Sequence, residues 1–167
     1  MTVVSDTSVL IHLARIDRFQ LLRQLYSEIT IPHAVWRETV DEGEERPGAP
    51  EAKSAREAGW LTVASVEKGT GLHRLLEQAL DAGEADTLAL AHQIGADLVL
   101  LDESAARRRA EGLGVRKTGS IGLLLRAKRE GLIDAIRPEL DALRATAFWI
   151  DDALYQRVLA AADERSG

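Results

Sequence analysis

The chain has no cysteine and no long hydrophobic run. With no Cys among 167 residues, a disulfide framework and a Cys-ligated zinc site are both excluded, and a reducing cytosol suits the composition. No apolar run approaches the roughly 20 residues that cross a bilayer, and the opening MTVVSD lacks the basic region of a signal peptide. We therefore expect a soluble, cytoplasmic protein with no membrane segment.

Acidic residues predominate, but the charge is unevenly distributed along the chain. The net charge is −6, yet residues 105–137 carry nine basic and three acidic side chains, a local +6 that leaves −12 elsewhere. The basic residues singled out as a nucleic-acid contact are Arg107, Arg108, Arg116 and Lys117. A basic surface beside an acidic site suits an enzyme that cleaves phosphodiester bonds with a metal ion. Solvated helix faces are the alternative explanation of the same charges.

Strand-like and helix-like apolar patterns alternate along the chain. Strands are expected at residues 3–5, 29–31, 60–66 and 97–101, with an edge strand at Val115. Helices are expected between them, including 32–40, 84–94, 104–113, 119–130, 133–144 and 151–162. This order predicts an α/β fold of three layers, α/β/α, with a central, mainly parallel sheet. We expect one domain over residues 1–167, with the helices from about residue 133 packing on it or on a partner.

Four carboxylates occupy positions that a parallel sheet can bring together. Asp6 and Asp102 each follow an apolar strand, Glu38 lies on an early helix and Glu84 opens a middle helix. Sites in open α/β sheets form at the carboxyl ends of the strands. Acids without a neighbouring Lys or Arg repel one another, and their hard oxygen ligands suit Mg²⁺ or Mn²⁺. The pattern predicts a centre of one or two such ions that performs phosphate chemistry.

Each of these acids also has a structural explanation when taken alone. Asp6 and Asp102 can be helix N-caps, worth about 1 kcal/mol each. Glu84 suits the first turn of a helix, where the dipole favours an acid. Glu84 and Asp86 are alternative candidates for the same ligand position. Residues two apart on a helix point to different sides, so we do not expect both to bind the same ion.

Four segments in order resemble the motifs of the PIN-domain family, the metal-dependent ribonuclease fold of VapC-like toxins and related nucleases. They are residues 4–11 (VSDTSVLI), 31–38 (IPHAVWRE), 83–91 (GEADTLALA) and 98–103 (LVLLDE). Residues 118–124 (TGSIGLL), followed by Ala127-Lys128 and 131–133 (GLI), are similar to a less characterised bacterial and archaeal PIN subfamily. The resemblance covers nearly the whole chain.

This resemblance implies a metal-dependent endoribonuclease that cleaves RNA with a metal-activated water. The implied catalytic and metal-ligating acids are Asp6, Glu38, Glu84 and Asp102. The 18-residue gap from Glu84 to Asp102 matches the usual gap between the third and fourth family acids, which favours Glu84 over Asp86. The expected supporting residues are Ser8, Asp86, Glu103, Thr118 and Ser120. The loop at residues 118–120 either holds a phosphate or caps the following helix.

The resemblance also implies partners. VapC-like toxins are typically paired with a small antitoxin, and many form homodimers. We therefore expect an RNA substrate, a homodimer and, if the protein is a toxin, a cognate antitoxin.

Two other classes of function fit the sequence less well. An aspartate-nucleophile phosphatase opens with Asp-x-Asp, but Ser8 occupies the second acidic position here. A non-catalytic module that binds RNA or protein is the alternative, although all four acids are retained.

The four histidines, His12, His33, His73 and His92, show no metal-ligand spacing and are interpreted as structural or surface residues. Trp60 and residues 148–150 (FWI) are interpreted as core or dimer contacts rather than base-stacking residues.

Overall fold

Residues 1–164 are described by a computed structural model. The strands are β1 (Val3–Ser5), β2 (Ile29–Pro32), β3 (Leu61–Ala64), β4 (Leu98–Leu100) and β5 (Lys117–Thr118). The α-helices of this part of the chain are α1 (Thr7–Arg15), α2 (Leu21–Tyr26), α3 (His33–Trp36), α4 (Ala49–Ala58), α5 (Gly71–Ala79), α6 (Ala82–Ile94), α7 (Ser104–Gly112), α8 (Ser120–Arg129), α9 (Arg137–Ala145) and α10 (Asp152–Ala161). A π-helical turn, Arg37–Asp41, directly follows α3.

All five strands run parallel, in the order β3-β2-β1-β4-β5. The central strand β1 pairs on one side with β2, where Val4 lies opposite Thr30, and on the other with β4, where Val4 lies opposite Val99. Because the strands are parallel, the residues that follow β1, β2 and β4 emerge at the same edge of the sheet. Helices cover both faces, which confirms the three-layer α/β/α fold expected from the sequence.

Each face of the sheet has its own hydrophobic core, because successive strand residues point to opposite sides. Val3 joins one core with Leu98 and Leu100, whereas Val4 joins the other with Val99. The first core includes residues of α1, α2, α8, α9 and α10, and the second includes residues of α5, α6 and α7. The alternation within these three-residue strands therefore fixes which helices lie on which face.

Helix α6 lies in the interior, as its nearly continuous apolar composition predicts. Every residue from Gly83 to Ala91 is buried, including the acids Glu84 and Asp86. An acid buried in such a helix needs a specific partner, and each of these two has one, described below. Between residues 1 and 164, no helix has both the length and the apolar composition needed to cross a membrane.

Helices α9 and α10 pack on the first core of this same chain. Leu140, Leu143 and Leu159 are fully buried there, together with Leu124 of α8. The expected helix from residue 133 begins at Arg137 instead, where Pro138 occupies the first turn and fits its backbone geometry.

Strand pairing corrects two expected boundaries. The third strand was expected over residues 60–66, but β3 covers only the four residues that have partners on β2, from Leu61 opposite Ile29 onward. The edge strand was expected at Val115, and β5 forms two residues later, where Lys117 and Thr118 pair with the end of β4. A strand extends only as far as its neighbour offers hydrogen bonds, and the sequence pattern does not contain that limit.

Candidate functional site

An acidic cleft of about 360 Å³ lies at the edge of the sheet where β1 ends. Its acidic side chains come from the β1–α1 junction, the π-helical turn, the start of α6 and the β4–α7 junction. They are Asp6, Glu38, Asp81, Glu84 and Glu103. Three of the four acids expected from the sequence therefore line one cleft.

Asp6 occupies the N-cap position of α1, but its side chain makes no capping hydrogen bond. Ser8 Oγ donates to Asp6 Oδ2 at 3.3 Å, and the Asp6 N–H donates to the Leu100 carbonyl at the end of β4. The residue is only 3% exposed. Burial raises the pKa of Asp6 to about 7, and the nearby charges of Asp81 and Glu38 act in the same direction. The carboxylate is thus available to the cleft rather than used as a helix cap.

The π-helical turn holds Glu38 against the start of α6. Thr7 Oγ1 donates to Glu38 Oε2 at 2.8 Å. A Cβ atom at Gly83 would lie 2.6 Å from Glu38 Oε1, so any other residue at this position would displace the Glu38 carboxylate. Burial raises the pKa of Glu38, and the charge of Asp81 raises it further. The sequence predicted a continuous helix over residues 32–40, whereas the wider π turn is a feature that often marks functional sites.

Glu84 and Asp81 form a reciprocal cap at the start of α6. The Glu84 N–H donates to Asp81 Oδ1 at 2.9 Å, and the Asp81 N–H donates to Glu84 Oε1 at 3.3 Å. Burial raises the pKa of Glu84 to about 7, and the charge of Asp81 is the next cause. Glu84 is therefore both a first-turn helix residue and an acid of the cleft. The sequence analysis missed Asp81, although Asp-x-x-Glu before an apolar run is a recognisable capping signal.

Asp102 does not line the acidic cleft. Its Oδ2 atom contacts His12 Nδ1 at 2.7 Å and accepts from Ser120 Oγ at 2.6 Å, while Oδ1 accepts from the Ser120 N–H at 2.7 Å. The backbone at Gly119 approaches so closely that a Cβ there would lie 2.6 Å from Asp102 Oδ1. The neighbouring Glu103 lines the cleft in its place. Both donors of Ser120 are engaged by this acid, which favours the structural alternative for the loop at residues 118–120 over one that holds a phosphate.

His12 lines the cleft although the sequence analysis treated it as structural or surface. Its Nδ1 faces Asp102, and Nε2 has no hydrogen-bond partner among residues 1–164. Its ring contacts Phe148 edge-on, with centroids 4.7 Å apart. A carboxylate on one ring nitrogen fixes the orientation of an imidazole. No local signal identifies this pair, because the two residues are 90 positions apart.

Asp86 lies outside the acidic cleft, on another side of α6. His73 Nε2 lies 2.7 Å from Asp86 Oδ1, and Lys68 Nζ lies 4.0 Å from Oδ2. The structure does not bring Asp86 into the cleft beside Glu84, because residues two apart on a helix point to different sides. Thr118 is also away from the cleft, in the wall of a separate groove beside Asp102.

The four basic residues expected to contact nucleic acid do not share one surface. Arg107 and Lys117 line the groove beside Asp102, where Arg107 also donates to the Leu101 carbonyl at 3.1 Å. Arg108 lines a different cavity, between α5 and α7. Arg116 is exposed in the segment just before β5. Arg107 and Arg108 are adjacent on α7, so their side chains point about 100° apart around the helix axis. A count of basic residues along the sequence does not show this difference in direction.

The donor set of the cleft fits a divalent cation in its chemistry. Within residues 1–164, no Lys or Arg forms an ion pair with Asp6, Glu38, Asp81 or Glu84. The carboxyl groups nevertheless lie apart. In the same part of the chain, no three His, Asp or Glu side chains are already grouped closely enough to form a metal site, so a cation would have to draw these carboxyl groups together.

A family model described as a PIN domain matches residues 2–164. The chain belongs to the PIN-domain family, and its fold is of the nuclease type. No curated protein matches the chain at a significant level.

The raised pKa values predict how stability depends on pH in the absence of metal. The folded state keeps protons on Asp6 and Glu84 up to about pH 7, whereas unfolded carboxyls release them near pH 4. Stability should therefore fall as pH rises from about 4 to about 7, by on the order of 1.4 kcal/mol per unit of pKa shift for Asp6 and by less for Glu84, whose carboxyl is more open to solvent. Urea unfolding at pH 5 and pH 8, with chelator present, measures this.

Asp6→Asn, which is neutral at every pH, should flatten that dependence and be more stable than the unaltered protein at pH 8. The exposed Asp134→Asn is the matched control and should follow the unaltered protein. Equal stability of the unaltered protein at the two pH values would show that Asp6 ionises normally.

Proposed function

We propose that this protein is a metal-dependent ribonuclease of the PIN type, which hydrolyses phosphodiester bonds of RNA. The observation that carries the proposal is the convergence of Asp6, Glu38 and Glu84 in one cleft at the carboxyl edge of the sheet, with none of them ion-paired to a Lys or Arg of residues 1–164. A bound Mg²⁺ or Mn²⁺ would supply a water of lowered pKa and neutralise charge on the phosphate.

Asp6, Glu38 and Glu84 are the residues that would hold the ion. Neutral hydroxyl donors, Ser8 for Asp6 and Thr7 for Glu38, orient these acids without cancelling their charge. Arg15 lines the cleft and is the basic side chain that would meet a phosphate there. Asp102 acts from behind the cleft wall, where it orients His12 and anchors the start of α8 through Ser120.

A non-catalytic PIN-like module that binds nucleic acid or protein is the second candidate. The observations that favour it are the spacing of the acids and the engagement of Asp102 by three donors. The two candidates differ in whether RNA is cleaved, and the next experiment separates them.

We expect Asp6→Asn to abolish RNA cleavage and leave the fold intact. The substitution keeps the shape of the side chain and removes a charge from the set that would hold the ion. The expected loss is on the order of 10²- to 10³-fold, equivalent to several kcal/mol of transition-state stabilisation. The measurement is cleavage of a labelled single-stranded RNA in Mn²⁺, with chelator as the negative control and Asp134→Asn as the matched variant. Full cleavage by Asp6→Asn would exclude the acidic cleft as the catalytic centre.

A divalent cation should stabilise the protein and displace protons from it. Ligand at 100 times its Kd adds about 2.7 kcal/mol to the free energy of unfolding, because the unfolded chain has no such site. Millimolar Mn²⁺ should therefore raise Tm at pH 7, and the rise should shrink in Glu38→Gln and in Glu84→Gln. Calorimetry in two buffers of different ionisation enthalpy measures the protons released. An unchanged Tm together with no calorimetric signal would argue against a metal site.

We also propose that the protein forms a homodimer. The resemblance to VapC-like proteins supports this, as does Leu75 on α5, which is 62% exposed beside a cavity of about 490 Å³ between α5 and α7. Sedimentation at tens of micromolar should show a dimer, and Leu75→Asp should shift it towards monomer because a charge would be buried at the contact. A monomer at every concentration would refute the proposal.

A cognate antitoxin completes the proposal as a toxin of the VapC-like type. The resemblance to VapC-like toxins is its support. Expression of the chain should arrest growth, and co-expression of a small DNA-binding protein encoded beside it should restore growth. Arrest that persists in Asp6→Asn would show that the toxicity does not come from RNA cleavage.

A further inference from the structure

Trp149 is the most exposed large hydrophobic side chain among residues 1–164, with 83% of its surface in solvent. It lies between α9 and α10, and the next residue, Ile150, is buried in the first core. Of the two alternatives expected for Trp149, a core residue or a dimer contact, the exposure excludes the first. A tryptophan placed in solvent by a buried neighbour offers a large flat surface to a binding partner, so its exposure needs an explanation.

Trp149 forms part of a groove of about 520 Å³ beside β5 and the start of α8. Phe148 and Leu154 give the groove an apolar wall, and Arg107 and Lys117 give it a basic one. Lys117 pairs with the exposed Glu111, and a surface pair of this kind exchanges readily for another anion because it contributes little stability. Aromatic surface beside cations is the combination that binds the bases and phosphates of a single strand.

The groove and the acidic cleft share a wall. Asp102 lines the groove, His12 lines the cleft, and the two side chains are joined at 2.7 Å. Phe148 of the groove contacts the His12 ring edge-on. An RNA chain bound along the groove would therefore be separated from the acidic cleft by the side chain of His12.

We propose that this groove binds single-stranded RNA, with one base stacked on Trp149 and its phosphates towards Arg107 and Lys117. The inference rests on the proposed ribonuclease function and deepens it by naming the surface that binds the substrate and a residue that positions it. Paired RNA does not fit this role, because a base within a duplex has no free face for stacking. The two cations of the groove complement the phosphates of such a chain.

The first test measures binding in chelator, where no cleavage interferes. A single-stranded RNA of ten nucleotides should quench tryptophan emission, and most of the change should come from Trp149. Trp60 is only 5% exposed, and Trp36 is covered by the guanidinium of Arg56. Trp149→Ala should raise the Kd roughly 5- to 100-fold, which is the range for stacking of one base, and Trp149→Phe should recover most of the affinity. Ile94→Ala, a truncation of another partly exposed apolar residue, is the control and should bind normally.

A second test locates the stacked base. Ten RNAs, each with an abasic nucleotide at a different position, should bind equally well except where the missing base is the one on Trp149. That difference should disappear in Trp149→Ala, because the stacking partner is already absent. A simple loss of folding would not produce dependence on one position.

The following results would overturn the inference. In one, Trp149→Ala binds and cleaves RNA as the unaltered protein does, which removes the groove from substrate binding and leaves the ribonuclease function standing. In another, Trp149 emission is already shifted to the blue in a dimer without RNA, and Trp149→Asp gives monomers, which makes the residue a dimer contact. By contrast, stacking at one position without any cleavage in Mn²⁺ would support the groove and refute the ribonuclease function.

Discussion

The two parallel ladders of β1 determine where the acids of the cleft lie. β1 has only three residues, and it is hydrogen-bonded to β2 on one side and to β4 on the other. Asp6 follows β1 directly, and its backbone N–H extends the pairing to Leu100. A shift of one residue in either ladder would exchange the two faces of the strand and carry the following acid away from the cleft. The position of the candidate site is thus a property of strand register.

The acids of the cleft are held by neutral donors rather than by cations. Hydroxyl groups of Ser8 and Thr7 orient Asp6 and Glu38, and the backbone N–H of Asp81 orients Glu84. A guanidinium in any of these places would lower the carboxyl pKa and neutralise the cleft. The observed partners orient these acids without forming an ion pair with them. Burial raises the pKa values of Asp6, Glu38 and Glu84, and the hydroxyl donors offset only part of that rise.

The sequence contained most of the fold because hydrophobic periodicity and strand-end acids are local signals. The alternation of strand and helix predicted a parallel sheet, and the positions of Asp6, Glu38 and Glu84 predicted acids that the structure brings into one cleft. Contacts between distant residues were not predictable in this way. The pairing of His12 with Asp102 joins α1 to the end of β4, and no pattern near either residue indicates it.

The surroundings of two residues were not predictable from the sequence, for the same kind of physical reason. Asp102 follows a strand as expected, and contacts from His12 and α8 hold its carboxylate at the wall between the cleft and the neighbouring groove. Trp149 was expected to be buried or in a dimer contact because it lies between apolar neighbours, and only the packing of Ile150 shows that it faces solvent. In both cases the surroundings of the side chain are formed by residues that tertiary packing places there, and a local sequence pattern does not contain this information.

The reciprocal cap at the start of α6 links occupancy of the cleft to the ordering of a helix end. Glu84 Oε1 accepts the Asp81 N–H, so a ligand that takes over this oxygen leaves a backbone donor without its partner. Losing one bond of a helix cap costs about 1 kcal/mol, roughly a fivefold loss of affinity. The middle of α6, from Ala85 to Ala91, is buried, so the effect should be confined to the first turn. The affinity of the cleft for a ligand therefore depends in part on the hydrogen bond from the Asp81 N–H to Glu84, although the Asp81 N–H does not contact the ligand. Hydrogen exchange of the Asp81 amide would report whether the cleft is occupied.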